Sequence, residues 1–281
     1  MLQVQKVSYR IGQATLVRDV SLEVKTGEML AIVGANGAGK TTLLRLMAGD
    51  ITPSAGTVVL KGKPLAKYGS RELALKRAVM PQQTSITFDF SAHDVVMMGR
   101  HPHIRWGETR EDHRVVEVAL ERTATTHLKE QPFATLSGGE RARVTLARVL
   151  AQQTEMLLLD EPTSALDLRH QHMTLQIARD LAHDKHAVIA VLHDLNLAAM
   201  YADRVGMMMD GHLVALGKPE EVLTADNIQM AFSLPVEVMP HPHQDCPLIV
   251  TLAPGNGYEA PIARLPAAQQ QALAVAINEP E

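Results

Sequence analysis

The chain contains a single cysteine, Cys246, among 281 residues. One thiol cannot build an internal disulfide framework, and such usage suits a reducing compartment. Aromatic residues are also scarce, at 3%, so recognition of single-stranded nucleic acid by base stacking has little to work with. There is no excess of positive charge either. The formal net charge is -4, against the basic face that a nucleic-acid-wrapping protein carries, and no nucleic-acid partner is expected. No uninterrupted apolar run reaches the about 20 residues that span a bilayer, so any role at a membrane is expected to run through a partner. Residues 1–7 alternate in the manner of a strand and do not form the charged and apolar blocks of a signal peptide. No internal repeat occurs at solenoid periods. What remains is 46% hydrophobic and 21% charged, the balance of an ordinary globular protein with room for one or two domains.

One stretch organises the rest. Gly34-Ala35-Asn36-Gly37-Ala38-Gly39-Lys40-Thr41 follows the apolar run Met29–Val33 and precedes Thr42-Leu43-Leu44-Arg45-Leu46-Met47, whose composition is helical. A strand, a Gly-x-x-x-x-Gly-Lys-Thr turn and a helix make a phosphate-binding P-loop. The glycines let backbone N–H groups approach phosphate oxygens, and the helix start adds unpaired donors and a positive dipole end. Lys40 is expected at the β- and γ-phosphates, and the Thr41 hydroxyl at Mg²⁺.

Around this unit the chain reads in order. Leu2, Val4 and Val7 alternate as one strand, with Tyr9 just after it, and residues 17–24 alternate as another. Gly49 reads as the cap ending the P-loop helix. Residues 57–60 and 78–80 read as strands, with helical composition over 71–77 between them. Over 84–150 the apolar spacing becomes helical, as in Val95–Met98 and Val115–Leu120, which suggests a helical insertion in an α/β framework. Residues 156–159 and 187–192 are apolar strands ending in Asp160-Glu161 and His193-Asp194. In open α/β sheets ligands gather at such carboxyl ends. A helix over 195–200, a hairpin turning at Asp210-Gly211 and a short helical unit to Phe232 follow. Met207-Met208-Met209 reads as core filler in a strand. Beyond Pro235 lie a possible strand at 248–252 and an Ala/Gln-rich, helical stretch.

With a P-loop upstream, the acidic pair gains meaning: Asp160 can hold Mg²⁺, and Glu161 can polarise the water that attacks the γ-phosphorus. Ser137-Gly138-Gly139-Glu140 reads as a capping box opening a helix. Its two glycines also expose N–H groups, a second anion site on one chain. Two copies facing each other, each closing the other's site, is the simplest account.

In order and spacing, Gly34–Thr41, Leu136–Glu140, Leu157–Glu161, Ser164–Asp167 and His193 resemble the ATPase subunits of ABC transporters, over residues 1 to about 232. The resemblance implies a P-loop NTPase fold: a RecA-like α/β core, an antiparallel β subdomain and a helical subdomain at about 83–150, with 233–281 as a C-terminal extension. It implies ATP and Mg²⁺ as ligands, with Thr41, Gln82 and Asp160 at the metal. Tyr9 matches the residue that stacks on adenine. Gln82 matches the glutamine that contacts Mg²⁺ and senses the membrane subunit, with Gln83 beside it leaving the register open by one. Ser137, Gly138, Gly139 and Glu140 match the signature that grips the γ-phosphate bound by the opposite subunit. Asp167 matches the aspartate at the dimer interface, and His193 the switch histidine. Threonine at 41 and Glu140 after the signature depart from the commonest pattern without removing a required group. The partners implied are a second copy of the chain, a membrane permease dimer and, indirectly, a periplasmic or surface substrate-binding protein. The place implied is the cytoplasmic face of the inner membrane.

The cargo is narrowed by three further stretches. Met97-Met98-Gly99-Arg100-His101-Pro102-His103 and Leu192–Ala199 resemble importers of iron chelates, haem and cobalamin, and His241-Pro242-His243 with Cys246-Pro247-Leu248 resembles the tail of haem-importer ATPases. Haem import is the expectation. Siderophore or cobalamin import is the alternative, and a soluble, non-transport ABC ATPase is more remote. Direct ligation of iron or haem by His101, His103, His241, His243 and Cys246 is a further idea, weakened by spacing unlike that of a standard site.

Overall fold

The computed structural model describes residues 1–82 and 89–252. Its first half runs β1 (Leu2–Ile11), β2 (Ala14–Val24), β3 (Glu28–Gly34), α1 (Lys40–Ala48), β4 (Ala55–Leu60), β5 (Lys63–Pro64), α2 (Ser70–Ala74) and β6 (Arg77–Met80). Three helices follow, α3 (Ala92–Met97), α4 (Arg110–Arg122) and α5 (Gly138–Ala151). The core resumes with β7 (Met156–Asp160), α6 (Leu168–His183), β8 (Ala187–Val191), α7 (Leu195–Tyr201), β9 (Arg204–Met209) and β10 (His212–Gly217). It closes with α8 (Pro219–Val222), α9 (Ala225–Phe232) and a hairpin of β11 (Val236–Pro240) and β12 (Pro247–Thr251).

The main sheet has the order β10-β9-β3-β8-β7-β6, parallel throughout except for β10 against β9. Its central strands are buried on both faces, which is why they read as continuous apolar runs without alternation. In β3, Met29, Ala31 and Val33 join the core shared with α6 and α7, while Leu30 and Ile32 join the core shared with α1. The second sheet, β2-β1-β4-β5, is antiparallel, and Leu2, Val4, Val20 and Leu60 enclose α1 from the other side. Helices α3, α4 and α5 gather around a separate core that includes Val96, Val116, Leu120 and Phe133.

Two sequence expectations need correction. β1 does not end near Val7 but runs to Ile11, so Tyr9 lies within it. The alternation breaks because Lys6 adopts φ +49° in a bulge, which shifts the inward phase by one residue. Gly56 on β4 meets that bulge: a Cβ there would sit 2.2 Å from the Lys6 carbonyl oxygen. The helical reading over 71–77 shrinks to α2, because Arg77 already belongs to β6. Met207 and Met208 are buried in strand β9, as core filler should be. The C-terminal strand at 248–252 is β12, and its partner β11 went unread because Pro240 closes it. The Ala/Gln-rich stretch lies outside the described residues.

The helical part is joined to the core by one buried ion pair. Arg100 Nε donates to Asp112 Oδ1 at 2.9 Å, and the same guanidinium donates to the Ala151 carbonyl and to Gln153. Asp112 is also the third residue of a capping box, accepting from Thr109. The Thr109 hydroxyl, with Arg100 beside it, pulls the Asp112 carboxyl down to about 2. Removing one partner of such a pair strands the other charge. Asp112→Ala is therefore expected to lower the unfolding free energy in a urea melt by about 3 kcal/mol. Because the folded carboxyl titrates below its ordinary value, its contribution is complete at neutral pH and fades as pH falls toward about 2. The difference between wild type and variant should shrink over that acid window.

Candidate nucleotide site

Four adjacent parallel strands, β3, β8, β7 and β6, end on the same edge of the sheet, and each hands one loop to the site. The loop after β3 is Gly34–Gly39. Gly34 adopts φ +150° and passes so close to β9 that a Cβ would lie 2.2 Å from the Met208 carbonyl oxygen. Gly39 caps α1 at φ +96°, with Leu16 of β2 pressed against it, 2.3 Å from where a Cβ would stand. The Gly211 N–H donates to Ala38, and the Gly211 carbonyl accepts from Arg18 on β2. The hairpin turn thus ties the loop to the antiparallel sheet. Tyr9 pairs with Val17, the neighbour of Leu16, and is half-buried at that edge of the loop.

Lys40 is 6% exposed, and its ammonium donates to the Gly34 and Ala35 carbonyls at 2.8 and 2.9 Å, across the mouth of the loop. Burial lowers its pKa, with Glu161 and Asp160 opposing. Asn36 and Gly37 are exposed at the tip, and Thr42 is half-buried in the first turn of α1. The Thr41 hydroxyl donates to Asp160 Oδ1 at 3.1 Å. Burial raises the Asp160 carboxyl, with the Thr41 hydrogen bond opposing. Thr41, Asp160 and Gln82 line one cavity of about 250 Å³. These are hard oxygen donors, few in number and beside a phosphate-sized loop, the set that suits Mg²⁺ completed by water and phosphate.

Glu161 lies at the centre. Its Oε1 accepts from His193 Nε2 at 2.6 Å and its Oε2 from Gln82 Nε2 at 2.7 Å. A carboxylate only accepts, so His193 carries a proton on Nε2 in this pair. Each oxygen keeps a further lone pair, which leaves the carboxylate able to orient a water molecule. Glu161 also has φ +50°, a conformation that costs a non-glycine residue about 1–2 kcal/mol. Its N–H donates to Val191, and the Ser164 hydroxyl donates to its carbonyl. The role of Ser164 in holding this strained turn was not legible in the sequence, where only the Asp-Glu pair stood out.

The other candidates form a second group. Ser137 caps α5 in the expected capping box, its hydroxyl donating to Glu140 Oε2 at 2.7 Å. The Ser137 hydrogen bonds depress the Glu140 carboxyl. Gly138 and Gly139 open the helix against the turn before α6, and a Cβ on Gly139 would meet the Ala165 carbonyl at 3.2 Å. Asp167 caps α6, accepting from the His170 N–H and from its ring Nδ1, contacts that lower its pKa. Ser137 and Gly138 are exposed, and the hydrogen bonds of Ser137 and Glu140 stay within their own helical turn. The fold therefore brings Gln82, Asp160, Glu161 and His193 to the P-loop and leaves the signature facing outward. Gln83 lies outside the described residues. Among the described residues no group of three or more His, Cys, Asp or Glu side chains is placed to hold a metal ion. His103 accordingly contacts the Gln152 carbonyl, and burial pushes the Cys246 thiol up.

A parallel sheet carrying a P-loop, with an antiparallel sheet on one flank and a helical signature segment on another, defines an ATP-binding-cassette ATPase. The chain belongs to the ABC transporter family, whose profile matches residues 17–164. It is similar to the Hemin import ATP-binding protein HmuV of Gloeobacter violaceus, 48% identical over 259 residues that cover 90% of this chain and 94% of the relative. The protein of the same name from Thermobifida fusca is 48% identical over 250 residues, covering 89% and 88%. Among solved structures, a metal-chelate type ABC transporter in an inward-facing conformation matches with a TM-score of 0.78 at 29% identity, covering 90% of this chain and 97% of that one. A dimeric post-hydrolysis ATP-binding cassette bound to ADP and Pi matches with a TM-score of 0.71 at 26% identity, covering 78% and 98%. No helix among the described residues is long and apolar enough to cross a membrane.

Two glycines separate the loop's steric demands. Gly39→Ala drives a Cβ into backbone as well as straining φ, and should cost at least about 2 kcal/mol and abolish retention on an ATP resin. Gly37→Ala meets open space and should cost only about 1 kcal/mol from its positive φ. Thermal melts of the two variants, with and without ATP, check the order.

Proposed function

We propose that this chain is the ATP-hydrolysing subunit of a haem importer. The observation that carries the activity is the Glu161 carboxylate held between Gln82 and His193 beside the P-loop lysine. Haem as the cargo is supported by the 48% identity to proteins named for hemin import, over nine-tenths of the chain.

In this reading residues 1–232 form the ATPase domain, with the helical part at about 83–150, and 233–281 extend it. Gly34–Thr42 wrap the phosphates, Lys40 leaves the Gly34 and Ala35 carbonyls for the β- and γ-phosphates, and Tyr9 stacks on the adenine. Thr41, Asp160 and Gln82 would hold Mg²⁺, which supplies charge neutralisation at the β- and γ-oxygens. Glu161 orients the attacking water and accepts its proton, and His193 contacts the γ-phosphate. Ser137, Gly138, Gly139 and Glu140 of a second copy close over the same phosphate, with Asp167 at the junction. The outward-facing signature and the likeness to a dimeric cassette bound to ADP and Pi support that arrangement. Hydrolysis removes the bridge between the two copies, and the dimer opens. A membrane permease pair converts closing and opening into alternating access, with a substrate-binding protein delivering cargo from outside, so the subunit works at the cytoplasmic face of the inner membrane.

The test is reconstitution with its permease in vesicles, supplied with a haem-loaded binding protein. ATP-dependent haem uptake is expected. Glu161→Gln should reduce turnover by at least about a hundredfold and trap an ATP-bound dimer on size exclusion. Uptake of cobalamin or a ferric siderophore instead of haem would keep the mechanism and overturn the cargo. A Glu161→Gln variant that still hydrolyses ATP would overturn the assignment of the base.

A further inference from the structure

His193 hangs between two fixed points. Upstream, the Leu192 N–H donates to the Ile32 carbonyl on β3, the strand that feeds the P-loop. Downstream, Asp194 caps α7, its Oδ1 accepting from the Asn196 N–H at 2.8 Å and the Leu197 N–H at 3.0 Å. The Asn196 side chain then leaves the helix altogether. Its Oδ1 accepts from the Ile249 N–H at 2.7 Å, and its Nδ2 donates to the Ile249 carbonyl at 3.1 Å. A side-chain amide thereby satisfies both backbone groups of one residue on β12, as a neighbouring strand would.

The C-terminal hairpin that receives this clamp is itself anchored. β11 and β12 pair in register from Val236 opposite Thr251 to Pro240 opposite Pro247. Val236 and Ile249 are 8% and 7% exposed and join the main core. Leu197, Ala198 and Ala199 bury the inner side of α7 in that same core. Apolar packing of small side chains holds the helix down but fixes its rotation weakly, whereas two directional hydrogen bonds three residues from His193 set it.

We propose that Asn196 is a positioning residue for the ATPase reaction: by clamping α7 to the C-terminal hairpin it sets the His193 ring against Glu161. The hairpin thus becomes a structural part of the catalytic switch, although it lies outside the region matched by the family profile. This rests on the reading of Glu161 and His193 as the hydrolytic pair.

The experiment uses the full-length chain, comparing wild type, Asn196→Ala and Asn196→Asp. Asn196→Asp keeps an acceptor for the Ile249 N–H but sets a carboxylate against its carbonyl. Three readouts are taken: kcat and KM for MgATP, affinity for a fluorescent ATP analogue, and hydrogen exchange of peptides over 193–200 and 247–252. Both variants should lose about tenfold in kcat while KM and analogue affinity stay within about twofold, because the P-loop is untouched. Exchange should quicken in both peptides and in no peptide of the P-loop. A variant with quickened exchange and wild-type kcat would overturn the positioning role. So would unchanged exchange in both peptides, since Asn196 would then clamp nothing. Loss of analogue binding together with kcat would mark general unfolding and equally count against it. An inactive wild type, by contrast, would sink the hydrolytic reading itself.

Discussion

The site depends on one carboxylate being gripped from both sides. Glu161 follows β7, Gln82 follows β6 and His193 follows β8, and the three meet only because those strands are parallel neighbours in the sheet. Any other strand order would part them. The same adjacency places Asp160 within hydrogen-bonding reach of Thr41 at the start of α1. A left-handed Glu161 is tolerated there because Val191 and Ser164 satisfy its N–H and carbonyl. Strain of this kind survives where surrounding contacts over-determine the conformation.

The P-loop shows a second kind of dependence. Its glycines are required less by the loop's own curvature than by what lies against it. Met208 and Leu16, from two different sheets, bring backbone oxygens to within contact of Gly34 and Gly39. The antiparallel sheet is therefore bolted to the nucleotide loop, and Tyr9 reaches the loop's edge as part of that packing. The helical segment is attached differently, through the buried Arg100–Asp112 pair and the start of α5. Its signature residues stay outside the cluster formed by the rest of the site. One chain thus supplies two incomplete half-sites, which is the physical reason a second copy is called for.

Electrostatics follow the same layout. At the P-loop, burial works against charge, lowering Lys40 and raising Asp160, and each offsets the other's cost. At the helix caps, hydrogen bonds work for charge, depressing Asp112, Glu140 and Asp167. An incoming triphosphate adds negative charge where the lysine is least stabilised and its positive form most useful.

The amino-acid sequence alone determined the strand–loop–helix of the P-loop, the acidic pair after an apolar strand, the capping box at Ser137 and the order of core strands. These are local: each rests on a periodicity or a spacing within about a dozen residues, which propensity and backbone sterics decide. It misjudged β1, because a bulge at Lys6 resets the alternation on which strand reading relies. It also passed over β11. Only the tertiary structure decided that Gln82 and His193 take opposite oxygens of Glu161, that Gly211 and Leu16 shape the loop from afar, and that Asn196 reaches 53 residues along the chain to Ile249. Contacts of that range depend on which strands lie side by side and which helix face is turned inward, and no local pattern encodes either.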